Sequence, residues 1–457
     1  MLSCTSEATK EEKLATHYCG SCHMTPEPQH LTSEIWEENI FPAMSDYFKW
    51  NERSTYQYSN KSFYYKKGNT PMTDELWTTL LDYYKSNAPN EILERERISL
   101  DPQDFFDVTV YDKICNSPNS SAITIGSKGE VWISCDESIK SLKLDGMILD
   151  SIVSPGDVSQ IIQDSSDNLW VLSAGILDPH DNSLGSLRLY DSDLSAHRVV
   201  YDALQRPVFA LQNKNSWIIS EFGNNTGQLM QYARETNDKT KLLGLPGSYK
   251  TFGLDIDNDG TQEWITIVSQ AQEGIYKISQ ETAEIRRMIS FPPEFGSSDL
   301  DTADVNLDGY VDLIVANGDN ADFSNILKAY HGIRVFLNNK HGGFEEAFFY
   351  PMYGVSQVRA ININEDRKVD LIVSSFFSSP NESSIVVLKN TSSDDTVTFD
   401  PSEITQSSLG NWMVMTKGDI DLDGDQDIAL VSYHINPKLD TKDEAADLLV
   451  LKNKLVQ

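Results

Sequence analysis

Long apolar runs are missing from this sequence, and none approaches the ~18–20 residues that a helical membrane span requires. Basic residues are in short supply: 37 Lys and Arg stand against 69 Asp and Glu, a formal net charge of −32. A surface that acidic argues against nucleic acid and anionic lipid headgroups as partners. Histidine is scarce at 8, and His180, His197, His331, His341 and His434 are scattered along the chain. No G-x-S-x-G, H-E-x-x-H or nucleotide-binding glycine loop occurs, so the common hydrolase, metalloprotease and nucleotide-dependent readings lose their motifs. Hydrophobic content is low but globular at 39%, and 457 residues are enough for two or three domains.

What is present begins with Cys19-Gly20-Ser21-Cys22-His23. A C-x-x-C-H run reads as covalent c-type haem attachment. Two thiols a turn apart add to the two vinyl groups of one haem, and the next residue, His23, reaches the iron through its imidazole. A zinc half-site would need a second Cys/His pair nearby. None follows, because beyond residue 22 the only cysteines are Cys115 and Cys135. Lys10 to Tyr18 reads as a short helix running into the motif. Thr32-Ser33-Glu34 opens a second, with Ile35, Trp36, Ile40, Phe41 and Met44 on one face. Thr73-Asp74-Glu75 caps a third, which stops before Ala88-Pro89. Three helices with haem between the first and last resemble a small class I cytochrome c over residues ~8–95. That resemblance implies a sixth iron ligand. Met44, on the second helix, is preferred, and Met72, just before the third, is the alternative; Met24 adjoins His23 and cannot reach the opposite face.

Met1-Leu2-Ser3-Cys4 is followed at once by a polar stretch. Leu-Ser-Cys resembles the end of a bacterial lipoprotein signal, which implies lipidation of Cys4, a chain trimmed near the cleavage point, and an outer-membrane lipoprotein of the cell envelope. Cys115 and Cys135 are then left as a candidate disulfide, which that compartment permits.

Past Pro89 the texture changes to short β-branched and aromatic runs between Gly, Asn, Asp and Ser. Seven loop-then-strand units are anchored by Trp132, Trp170, Trp217, Trp264, Leu313, Leu371 and Ile428. The spacing is that of a four-stranded blade, and seven blades make a β-propeller. Three units carry a complete acidic loop. These are Asp255, Asp257, Asp259, Thr261 and Glu263; Asp304, Asn306, Asp308, Tyr310 and Asp312; and Asp419, Asp421, Asp423, Asp425 and Asp427. Oxygens at positions 1, 3, 5 and 9 and a carbonyl at 7 can wrap one Ca2+, with glycine at 6 for the turn. In a fourth loop Asn362, Asn364 and Arg367 depart from the pattern; that loop is expected to have lost its ion, with Lys368 as a substitute charge. An EF-hand would need flanking helices and a Glu at position 12, whereas strands begin here. Units from residue ~245 resemble integrin-type FG-GAP repeats, whose namesake pair is matched by Phe252-Gly253 and Phe295-Gly296 and more loosely by Tyr353-Gly354 and Leu409-Gly410. That resemblance implies the same calcium ligands.

The expected organisation is a tether at 1–7, a monohaem cytochrome c domain at 8–95 and a seven-bladed propeller at 100–457. The expected function is electron transfer or redox sensing, with one covalent haem c, about three structural Ca2+ ions and a docked redox or outer-membrane protein partner. The lipid anchor would supply the membrane attachment. The alternatives are a surface glycan- or peptide-binding module and a haem-linked dehydrogenase with its site in the propeller.

Overall fold

The structure is a computed structural model and describes residues 8–48, 57–58, 61–62, 72–92, 99–117, 119–236, 238–319, 326–364, 366–379, 382–393, 396–433 and 446–455. Helix α1, Lys10–Tyr18, is fixed by a capping box in which Thr9 and Glu12 satisfy each other's backbone N–H. Helix α2 starts at Ser33–Ile35 under a Thr32 cap, widens to a π-helical stretch at Trp36–Ile40 and continues as Phe41–Phe48. Pro42 accounts for the widening. Its ring cannot sit against the carbonyl four residues back and it has no N–H to donate, so Phe41 donates to Trp36 O instead. Helix α3, Asp74–Asn87, is capped by Thr73. The three helices bury Trp36, Phe41, Trp77, Leu80 and Tyr84 in one cluster. Among the described residues no helix is long and apolar enough to cross a membrane.

Between α2 and α3, Gln57–Tyr58 pairs with Lys61–Ser62, and past the helices the described residues form seven four-stranded antiparallel sheets. Blade 1 spans residues 123–153, blade 2 157–204, blade 3 207–243, blade 4 248–290, blade 5 297–351, blade 6 355–403 and blade 7 412–453. The first strand of each blade packs against the first strand of the next, and blade 7 returns to blade 1, so the ring is closed. Second strands are buried on both faces, as sheets stacked face to face require. The seven anchors occupy the second residue of these strands.

Among the described residues, blade 7 has three strands from 412–453. Its outermost is Phe106–Tyr111, paired antiparallel with Leu448–Asn453 in the register Phe106↔Asn453 to Tyr111↔Leu448. The chain thus locks its C-terminal blade with the first strand after the helices. Cys115, just past this strand, is bonded to Cys135 at the end of the second strand of blade 1. The disulfide therefore ties the closing strand to the next blade. Inside the ring, the buried Asp299 carboxylate accepts from Lys250 at 3.1 Å and Arg359 at 2.6 Å, linking the inner strands of blades 4, 5 and 6. Burial pushes Asp299 up, but these two cations outweigh it and hold the carboxyl below its usual value.

Two of the dipeptides read as FG pairs are not equivalent to the others. Gly296 and Gly354 stand just before the first strand of a blade at φ 61° and 59°. A Cβ there would meet Asp319 O and Phe377 O at 2.3 Å, so glycine is required. Phe252-Gly253 lies inside the first strand of blade 4, where the corresponding turn uses Gly247 at φ 82°. Gly410 is extended, at φ −157°.

Candidate functional site

The C-x-x-C-H run occupies the turn that ends α1. Cys19–Ser21 form a 3-10 turn, Ser21 Oγ donates to Tyr18 O, and Cys22 is exposed. Cys19 faces inward and packs against the helical cluster together with Met44 and Met72. The structure thus brings both candidate axial methionines to the cluster that Cys19 joins and does not choose between them, while Met24 is 45% exposed. Burial pushes the Cys19 thiol up to about 11. His23 Nδ1 lies 2.8 Å from Met24 O. A carbonyl only accepts, so Nδ1 carries the proton and Nε2 keeps its lone pair for a metal. Two thiols, a free imidazole nitrogen and two thioethers fit a covalently held haem, with Cys19 and Cys22 as attachment points and His23 as a ligand. Cys4 lies outside the described residues.

The four acidic loops join the first and second strands of blades 4 to 7 and share one backbone design. Asp255, Asp304 and Asp419 at position 1 each accept two backbone N–H groups, from positions 5 and 6. Gly260, Gly309 and Gly424 take φ of 91°, 87° and 98°. Position 4 is left-handed as well, at Asn258, Leu307 and Leu422, a demand that glycine spacing did not announce. Position 9 is the first residue of the second strand and is buried. Asp312 accepts from Val305 N and Asn338 N, Asp370 from Ile363 N and Asn390 N, and Asp427 from Ile420 N and Asn453 N. Burial pushes Asp312 and Asp370 up to about 6 despite these bonds.

Sequence reasoning missed those asparagines. Asn338 and Asn390 end third strands, and their amides donate to Ile256 O and Val305 O in the loop of the preceding blade. The signal was a recurring Asn after an apolar strand. Lysines were missed as well. Lys277 lies 2.7 Å from Glu263, Lys340 3.3 Å from Asp308 and Lys452 3.3 Å from Asp421. Lys368 Nζ donates to Ser392 O, and its backbone N–H donates to Asp366 in the fourth loop.

The donor sets fit a hard cation in two loops most clearly. Carboxylate oxygens of Asp255, Asp257 and Asp259 lie within 4.8 Å of one another, as do those of Asp419, Asp421 and Asp423. In both, the position-3 carboxylate has a buried oxygen with no hydrogen-bond partner: Asp257 Oδ1 and Asp421 Oδ1. A buried carboxylate oxygen without a donor is costly, and a cation would satisfy it. In the third loop Asn306 replaces one carboxylate, and its amide donates to Asp308. In the fourth, Asn364 Nδ2 is the buried unpartnered atom, a donor that repels a cation.

No family model and no curated protein matches the sequence. Among solved structures, a streptogramin B lyase aligns over 76% of this chain and 98% of its own, at TM-score 0.51 and 13% identity. The WD40 domain of Neurospora crassa Pan2 aligns over 78% and 99%, at TM-score 0.48 and 11% identity. At 13% identity, the likeness to the lyase speaks for the fold alone. The protein is a seven-bladed β-propeller preceded by a small helical module.

Proposed function

We propose that the protein is an envelope c-type cytochrome whose helical module carries one covalent haem and whose propeller, stabilised by calcium, presents that module to a protein partner. The observation that carries this reading is the C-x-x-C-H turn, with Cys19, Met44 and Met72 packed on the same helical cluster and with Nε2 of His23 left free. When bound, the haem supplies one-electron chemistry through its iron. Cys19 and Cys22 would hold it and the His23–Met24 bond would orient the imidazole, while the Trp36, Trp77 and Tyr84 cluster supports the turn that carries them. The Cys115–Cys135 disulfide supports an oxidising compartment, which the envelope reading requires.

The calcium loops are proposed as structural. They lie at the ends of first strands, whereas the helical module meets residues 294 and 330, in the connections at the opposite ends of the blades. The site chemistry and the staples therefore occupy opposite faces of the ring. The test is acid–acetone extraction. Colour should stay with the protein and disappear in the Cys19→Ala, Cys22→Ala double variant; colour that extracts freely refutes covalent attachment.

A further inference from the structure

The segment after the haem motif, residues 24–30, is clamped from two sides. On the module side, Tyr84 Oη donates to Pro26 O at 3.0 Å and Trp36 Nε1 to Pro28 O at 2.8 Å. On the propeller side, His30 Nδ1 lies 2.5 Å from Glu294 Oε1, and Glu27 N donates to the same oxygen at 3.4 Å. Tyr330 Oη donates to His30 O at 3.2 Å. The His30 ring packs against Tyr330 and Phe295, centroids 4.8 and 5.7 Å away, and those two rings stack on each other at 4.9 Å. Ile326, from the same connection as Tyr330, packs on the helical cluster.

Glu294 is unusual in this seam. Its side chain is only 5% exposed, yet it sits on a three-residue turn between blades 4 and 5. Its second oxygen is buried without a hydrogen-bond partner. A carboxylate held out of water is costly unless its bonds return the difference. Here those bonds go to the helical module and not to the propeller that carries the residue. The segment it grips begins at Met24, whose carbonyl fixes the His23 tautomer. Solvent access and the partners of a ligating imidazole both set a haem's potential.

We propose that Glu294 is a positioning residue for the haem-binding segment: the propeller, through Glu294 and His30, sets the surroundings of His23. This rests on the haem reading above. The propeller is thereby part of the redox site and not only its carrier.

The test compares Glu294→Gln, Glu294→Ala and His30→Ala in the full chain, by hydrogen exchange at residues 24–31 and by haem midpoint potential. Glutamine keeps an acceptor for His30, so exchange should stay near wild type and any change in potential reports the charge alone. Alanine at either position releases the segment. Exchange there should quicken about tenfold or more, the scale for losing a buried charge-assisted bond, and the potential should fall below that of Glu294→Gln as water enters. The double alanine variant should add little to either single one. Unchanged exchange in both alanine variants overturns the grip. Faster exchange with a potential equal to that of Glu294→Gln overturns the positioning role. A wild-type protein with no covalent haem defeats the haem reading instead, and the exchange arm still decides whether the clamp exists.

Discussion

Removing calcium should lower the melting temperature of the propeller by an amount that can be estimated. Three loops, at Asp255, Asp304 and Asp419, are taken as ion sites, each in a different blade. A ligand present at about a hundred times its dissociation constant stabilises the folded state by about 2.7 kcal/mol. Sites in separate blades share no ligands, so their contributions add, to about 8 kcal/mol. Unfolding entropy near 2.1 cal/mol/K per residue gives about 0.7 kcal/mol/K for a propeller of roughly 350 residues. The shift is then about 11 °C. Scanning calorimetry with EDTA and with added Ca2+ measures it directly. Asp421→Ala should remove roughly a third of the shift, because it deletes the carboxylate whose buried oxygen has no other partner. Asn364→Ala should change it little. The haem bands should persist, since the helical module meets the opposite face. Superimposable traces with EDTA and Ca2+ would refute the reasoning and leave hydrogen bonds and the nearby lysines as all that holds the loops.

Other outcomes follow from particular contacts. Met44→Ala should abolish the weak far-red band that Met–haem ligation implies, with Met72→Ala retaining it; the reverse result moves the role to Met72. Replacing Cys115 and Cys135 together by alanine frees a loop of sequence separation 20 and should cost about 3 kcal/mol on a chain-entropy estimate, seen as a lower melting point without loss of haem. Phe106→Ala, on the closing strand and 2% exposed, should cost about 3–5 kcal/mol and speed hydrogen exchange in blade 7 before blade 4. Equal loss of protection in both blades would show that the strand is not the weak point of the ring.

Much of the ring was legible because its anchors recur. Trp132, Trp170, Trp217 and Trp264 and their aliphatic successors fall at the same strand position seven times, since each blade must bury the same two faces. Helix starts were legible through Thr32 and Thr73, which act within one turn. What escaped the sequence was non-local or conformational. The closing strand 106–111 reads like any other β-run until it pairs with residues 448–453 across the whole propeller. Phe252-Gly253 matched a dipeptide, but the requirement is for positive φ, and Gly247 meets it. Pro42 sat inside a helix-like pattern, and periodicity alone did not foretell the π-turn that accommodates it. The pairing of His30 with Glu294 joins residues 264 apart, and neither carries a local signal. The C-x-x-C-H run itself was plain in the sequence, because its five residues are contiguous; its haem role is the proposal made above.

The proposed redox role depends first on covalent haem at Cys19 and Cys22. Intact-mass analysis of the protein, expressed where c-type haem is attached and then denatured, tests it most directly. The mass should exceed that of the polypeptide by one haem, and Cys19→Ala with Cys22→Ala should return it to the polypeptide value. A wild-type mass equal to the bare polypeptide would contradict the assignment and leave Cys19, Cys22 and His23 without their proposed role.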